Sequence, residues 1–254
     1  MEFSRSPSLA RPLPWLLDAP FAHRGLYDAA AGRPENSMAA ISAAVAGGYG
    51  VELDVQISHD GEAMVFHDFS LERLTGGSGL IRDHDSRTLE RLEISGSGQT
   101  ISRLTTVLDE VAGRVPVLID IKNKSLHVGR YERSVLRALK GYRGAVALMV
   151  WNPWSMTWFR ARMPSLVIGH IVTVVKHGGF WKPWYLNPLL GLLPTAPMER
   201  PDFIAYNVEL LPNRSARRAR RLNIPVLTWA VRTGGQQAVA EREADNLIFE
   251  GLRP

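Results

Sequence analysis

The chain has 254 residues, with 45% hydrophobic and 22% charged residues, a usage that excludes a disordered or low-complexity polypeptide. It has no cysteine, which excludes a disulfide framework, a thiolate metal site and a cysteine nucleophile and leaves only oxygen and imidazole as metal ligands. A formal charge of +5 and a pI near 9.7 favour anionic partners without choosing among phosphates, nucleic acid and acidic membranes.

The first residues, Met1 to Pro20, contain arginines and prolines but lack the apolar stretch of a secretory signal, so a cytoplasmic location is expected, with residues 1–18 as an N-terminal arm. Short apolar runs then recur between helix-like segments. Candidate strands are Phe21–His23, Val51–Ile57, Met64–His67, Val115–Lys122, Val146–Trp151, Leu166–Val172, Phe203–Asn207, Val226–Val231 and Asn246–Glu250. Alternation of strands with helices predicts an α/β fold with a parallel sheet. Asn36 or Ser37 can cap MAAISAAVA, Thr105 precedes TVLDEVA, and Asn152 can cap a helix that opens on Pro153. No repeat or linker divides the chain, so residues 1–254 are read as one domain. The candidates exceed an eight-stave barrel by one, so one of them must be an irregular or hairpin strand.

The first of three chemically informative stretches is Phe21–Ser37, where an apolar run ends in His23-Arg24-Gly25. Barrel enzymes place reactive groups at such strand ends. In the second, VELDVQISHDGEAMVFHD, Asp60-Gly61 signals a two-residue hairpin. That turn would pair Asp54 with His67, and alternation puts Glu52 and Asp54 on one face. The same polar residues would equally suit the solvent face of an edge strand. In the third, VPVLIDIK, an apolar strand ends in Asp120 and Lys122, two apart on one face. A buried strand rarely carries such charges unpaired, so they either serve a site or form a structural ion pair.

Taken in order and spacing, His23-Arg24-Gly25, Pro34-Glu35-Asn36-Ser37, Glu52-Leu53-Asp54-Val55, Asp60-Gly61 and His67-Asp68 resemble the glycerophosphodiester phosphodiesterase family. The likeness continues through Arg73-Leu74-Thr75-Gly76, the Ile119–Lys122 strand and the Trp229 strand. It implies a (β/α)8 TIM barrel and one divalent cation, Mg²⁺ or Ca²⁺, held by Glu52, Asp54 and Asp120. His23 and His67 would supply acid–base catalysis, their two roles left unassigned. Arg24, Lys122, Asn36 and Trp229 are the candidate substrate- or phosphate-binding residues, although Asn36 also reads as a helix cap. Asp68 would either orient His67 or open the following loop. The chain departs from the family pattern at Asp120, where glutamate is usual, at Trp151-Asn152, and at Phe249-Glu250-Gly251 on the closing strand.

Residues 178–197, rich in tryptophan and leucine, form an expected insertion that either covers the barrel mouth or makes a peripheral membrane contact through Trp181, Trp184 and Tyr185. Arg214, Arg217, Arg218, Arg220 and Arg221 surround one helix without an aromatic stacking platform, which argues for a solvated helix and against nucleic acid. Three functions follow: hydrolysis of a small glycerophosphodiester substrate, cleavage of a membrane lysophospholipid at its head group, and phosphodiester binding without turnover. Oligomeric state is not encoded in any motif.

Overall fold

The computed structural model describes residues 13–123, 127–172, 176–177, 180–181 and 200–254. In chain order the strands are β1 (Phe21–Ala22), β2 (Gly50–Ile57), β3 (Ala63–Val65), β4 (Ser102–Arg103), β5 (Val117–Ile121), β6 (Val146–Val150), β7 (Val167–Val172), β8 (Lys176–His177), β9 (Phe180–Trp181), β10 (Phe203–Asn207), β11 (Val226–Val231) and β12 (Asn246–Phe249). Parallel pairing runs β1-β12-β11-β10-β7-β6-β5-β2, and β2 pairs back onto β1, closing an eight-stranded barrel. All nine expected strands are present. The extra one is β3, which runs antiparallel to β2 and carries β4 on its far edge. Helices alternate with the barrel strands, which together with the closed parallel sheet defines a TIM barrel.

Caps explain several helix starts. Ser37 Oγ accepts the Ala40 N–H at 3.2 Å ahead of the helix Met38–Ala46, and Asn152 accepts the Trp154 N–H at 2.9 Å ahead of Pro153–Arg160. Thr105 is no cap: the helix Leu104–Val111 has already begun there, and its cap residue is Arg103, without a side-chain bond. Asn36 is not a cap either, because its side chain is spent elsewhere.

Strand alternation sorts the core into two shells. Val51, Leu53, Val55, Val117, Ile119 and Leu148 face outward and pack on Ile41, Ala44, Leu104, Val107 and Phe159 of the helices. Phe21, Leu118, Ala147, Val167, Phe203 and Leu227 fill the barrel interior with Leu13 and Leu16, which plug its lower end. Two glycines make room for the rings: a Cβ at Gly50 would lie 2.5 Å from Phe21, and one at Gly169 would lie 2.3 Å from Phe203. Burying each ring removes on the order of 2–3 kcal/mol of unfavourable apolar hydration. Filling the lower barrel in this way leaves the polar inward residues at the C-terminal end.

The β2–β3 hairpin differs from the sequence reading. Val55 pairs with Val65 and Ile57 with Ala63, so the register puts Phe66, not His67, opposite Asp54. The loop uses His59, Asp60 and Gly61 between Ser58 and Glu62, with Gly61 at φ +86°. A third loop residue in the left-handed region shifts the ladder by one place. Of the expected insertion at 178–197, only the backbone of Phe180–Trp181, paired with Lys176–His177, is among the described residues. The expected membrane contact, the mouth-covering role and most of the 1–18 arm lie outside them.

Candidate active site

Three inward side chains of β2 organise the mouth. Glu52 and Asp54 point into the barrel beside Asp120 of β5, all three buried, with ligand atoms that lie within 4.8 Å of one another. Gln56, one step further, donates to the backbone carbonyls of both His67 and Asp68 at 3.1 Å. This clasp, rather than strand pairing, brings His67 to the site. One cavity of about 510 Å³ collects His23, Arg24, Glu52, His67, Asp68, Asp120, Lys122 and Trp229 on its lining, a size usual for small-molecule sites.

Lys122 Nζ sits 2.8 Å from Asp54 and 2.5 Å from Asp120, so the ion pair, one of the two readings of the Asp-x-Lys strand, exists, is shared with β2, and lies within the candidate site. Burial opposes the ammonium charge, but Asp120 and Asp54 outweigh it and raise its pKa. Burial raises Glu52 strongly, and its neighbours Asp54 and Asp120 add to the effect. Asp120 is raised for the same first reason, against the pull of Lys122. In Asp54 the cations Lys122 and Arg24 overcome burial and hold the carboxylate ionised. The centre thus concentrates negative charge that lacks full compensation.

Arg24 and Asn36 both adopt φ +59°, a backbone conformation uncommon outside glycine. At Arg24 this turns the N–H onto Glu52 Oε2 at 3.0 Å and carries the guanidinium to Glu35 at 2.7 Å and to within 3.3 Å of Asp54. Asn36, 1% exposed, lies beneath the cavity rather than on it. It brackets Asp54, donating to Oδ2 at 2.8 Å and accepting the Asp54 N–H at 3.2 Å. It therefore holds a carboxylate of the acidic group.

Both histidines are anchored through Nδ1. His67 Nδ1 contacts Asp68 at 2.5 Å, and Asp68 is gripped by Arg73, which also binds Glu35 at 2.8 Å. Asp68 is thus a partner of His67, one of the two roles open to it in the sequence. Burial depresses the His67 pKa; Asp54 opposes that, while Lys122 and Arg24 reinforce it. His23 Nδ1 contacts Glu250 at 2.8 Å, and its Nε2 lies 3.8 Å from Glu52. Glu250 belongs to the closing strand's C-terminal end, where the sequence showed only a departure from the family pattern. Its contact with His23, like the Glu35–Arg73 pair, was not found by sequence reasoning.

Opposite these polar groups stands an apolar wall of Met149, Trp151, Ile171, Trp229 and Ile248. Trp151 and Trp229 pack edge to face with centroids 6.0 Å apart. Trp151 Nε1 donates to Asp120 at 2.9 Å, and Trp229 Nε1 to the Ala205 carbonyl at 3.3 Å, so Trp229 offers the cavity its ring.

Oxygen-only donors, deep burial and excess negative charge fit a hard divalent cation, and Asp54 Oδ1 is a buried acceptor without a well-aligned hydrogen bond. Fold and site define a (β/α)8-barrel protein with an acidic, cation-drawing centre at its C-terminal mouth. The model of the glycerophosphoryl diester phosphodiesterase family matches residues 23–249, and the chain belongs to that family. It is 30% identical over 165 residues to a glycerophosphodiester phosphodiesterase of Caldanaerobacter subterraneus subsp. tengcongensis, covering 60% of this chain and 65% of that protein. A Bacillus altitudinis glycerophosphodiester phosphodiesterase is 32% identical over 169 residues, 62% and 67% of the two chains. Among solved structures, an Oleispira antarctica phosphodiesterase in complex with the product sn-glycerol-3-phosphate superposes with a TM-score of 0.75 at 20% identity, covering 92% of this chain and 93% of that one. A Thermotoga maritima glycerophosphodiester phosphodiesterase gives 0.71 at 22% identity, with 91% and 94% covered. Among the described residues, no helix is long and apolar enough to cross a membrane.

Proposed function

We propose that the chain hydrolyses glycerophosphodiesters to glycerol 3-phosphate and an alcohol. The observation that carries this reading is the convergence of two carboxylate-anchored imidazoles, Glu52 and Asp120 in one cavity, with Asp54 directly beneath. Glu52, Asp54 and Asp120 would hold one divalent cation, Mg²⁺ or Ca²⁺, which when bound supplies Lewis acidity toward a non-bridging phosphate oxygen. Arg24 and Lys122 line the cavity as fixed positive charges and favour the state in which charge builds on phosphorus oxygens. His23 and His67 each commit Nδ1 to a carboxylate and keep Nε2 for proton transfer. One withdraws a proton from the attacking group and the other delivers one to the departing alcohol, a contribution of roughly 10²–10⁴-fold. The attacking group is either water, which gives glycerol 3-phosphate directly, or a hydroxyl of the substrate glycerol, which gives a cyclic phosphate that water then opens with the two proton roles reversed. Trp229 packs its ring against the substrate.

The apolar wall favours a second reading within the same chemistry, cleavage of a lysophospholipid whose chain leaves along Trp151, Ile171 and the exposed Phe69. Choline release from glycerophosphocholine, with glycerol 3-phosphate as the other product, and from lysophosphatidylcholine, with lysophosphatidic acid as the other product, after chelation and re-addition of Mg²⁺ or Ca²⁺, tests both. Metal-restored product supports hydrolysis, and the faster substrate chooses the reading. A folded, metal-binding protein inert on both would favour phosphodiester binding without turnover.

A further inference from the structure

We infer that Glu250 is the positioning residue for His23: its carboxylate accepts the His23 Nδ1–H and fixes the tautomer whose Nε2 is bare and turned to the cavity. The inference rests on the assignment of His23 to proton transfer. Barrel closure makes the contact. Ala22 pairs with Phe249, and the His23 backbone N–H donates to the Phe249 carbonyl at 2.9 Å, so residues 227 positions apart become neighbours on adjacent strand ends.

Three groups converge on the Glu250 carboxylate. Oε1 receives the Tyr27 hydroxyl at 2.5 Å, while Oε2 receives Arg232 Nη2 and contacts His23 Nδ1, both at 2.8 Å. Arginine can only donate, and an ionised carboxylate can only accept. The hydrogen between Glu250 and His23 must therefore sit on Nδ1. A neutral imidazole has one N–H, so Nε2 is left as the acceptor 3.8 Å from Glu52 Oε2. His67 is arranged in the same way on Asp68, whose own acceptor role is enforced by Arg73. Each imidazole thus has a carboxylate behind it and an arginine behind the carboxylate.

Neither Glu250 nor Arg232 lines the cavity, so Glu250 acts through His23 and not on substrate. Its replacement should lower kcat and leave KM nearly unchanged, since substrate contacts persist while the proton acceptor is misdirected.

The test combines spectroscopy with kinetics on the full chain. Long-range ¹H–¹⁵N spectra of ring-labelled histidine, with the His23 signals identified by their absence in His23→Gln, should show Nδ1 protonated and Nε2 bare in the wild type. Glu250→Leu should lose that preference, whereas Glu250→Gln, whose amide oxygen facing Arg232 still accepts the Nδ1–H, should keep it. Glu250→Leu should release glycerol 3-phosphate about 10- to 100-fold more slowly at saturation, with KM within about threefold, and Glu250→Gln should recover part of that loss. Tyr27→Phe should show a smaller kcat loss. A bare Nδ1 in the wild type, or Glu250→Leu at wild-type kcat or with the wild-type tautomer, overturns the inference. A wild type without turnover overturns the functional reading instead, and the tautomer spectra still decide the placement of Glu250.

Discussion

The indole N–H of Trp151 donates to Oδ1 of Asp120 at 2.9 Å, joining the cavity's aromatic wall to its acidic floor through one charge-assisted bond. Lys122 takes the other oxygen of the same carboxylate. Two of the three departures from the family pattern, the shorter acid and the tryptophan, thus meet in one contact.

Trp151→Phe leaves Asp120 Oδ1 buried without its donor, and a bond to a charged group is worth about 1.5–3 kcal/mol. Trp229→Phe removes a bond to a neutral carbonyl from the adjoining ring, worth about 0.5–1.5 kcal/mol. Urea denaturation should therefore rank Trp151→Phe as the more destabilising substitution. Equal losses would show that the Asp120 bond carries no special weight.

Asn36 is the residue that fixes Asp54 from both sides. Asn36→Ala and Asn36→Gly should both weaken Mg²⁺ binding roughly 10- to 100-fold, because a ligand's hydrogen-bonded support is lost. Only alanine is strained at φ +59°, so Asn36→Gly should be more stable than Asn36→Ala by about 1 kcal/mol. Calorimetric Mg²⁺ titration and denaturation read the two effects separately. Wild-type Mg²⁺ affinity in Asn36→Gly would remove Asn36 from the centre.

His170, on the outward face of β7, is 7% exposed, and burial pushes its pKa down to about 4. An unfolded histidine titrates near 6.5, so between about pH 4 and 6.5 the unfolded chain binds a proton that the folded chain does not. Stability therefore falls as pH drops through this window, by roughly 2 kcal/mol from pH 7 to pH 5. His170→Leu should flatten that part of the profile in urea melts at the two pH values. An identical drop in both proteins would assign the acid lability elsewhere.

The fold was legible because the barrel's apolar strands are local patterns, and His23, His67, Glu52, Asp54, Asp120 and Lys122 do meet in and directly beneath one cavity. Alternation correctly put Glu52 and Asp54 on one face. The hairpin register was misread because Asp60-Gly61 looks the same in a two- and a three-residue loop, and the extra residue is set by backbone geometry at Gly61. Asn36 was ambiguous because capping and carboxylate binding use the same amide. Glu250, Tyr27 and Arg232 were invisible because their meeting with His23 depends on closure of the first strand against the last. No local pattern encodes that contact.

The most direct test of the whole account is saturating glycerol 3-phosphate release by wild type, His23→Ala and His67→Ala in parallel, with melting temperature and Mg²⁺ binding measured on the same samples. The account predicts a loss of about 10²-fold or more in each variant, with fold and metal binding retained. Near-normal turnover in both would contradict it.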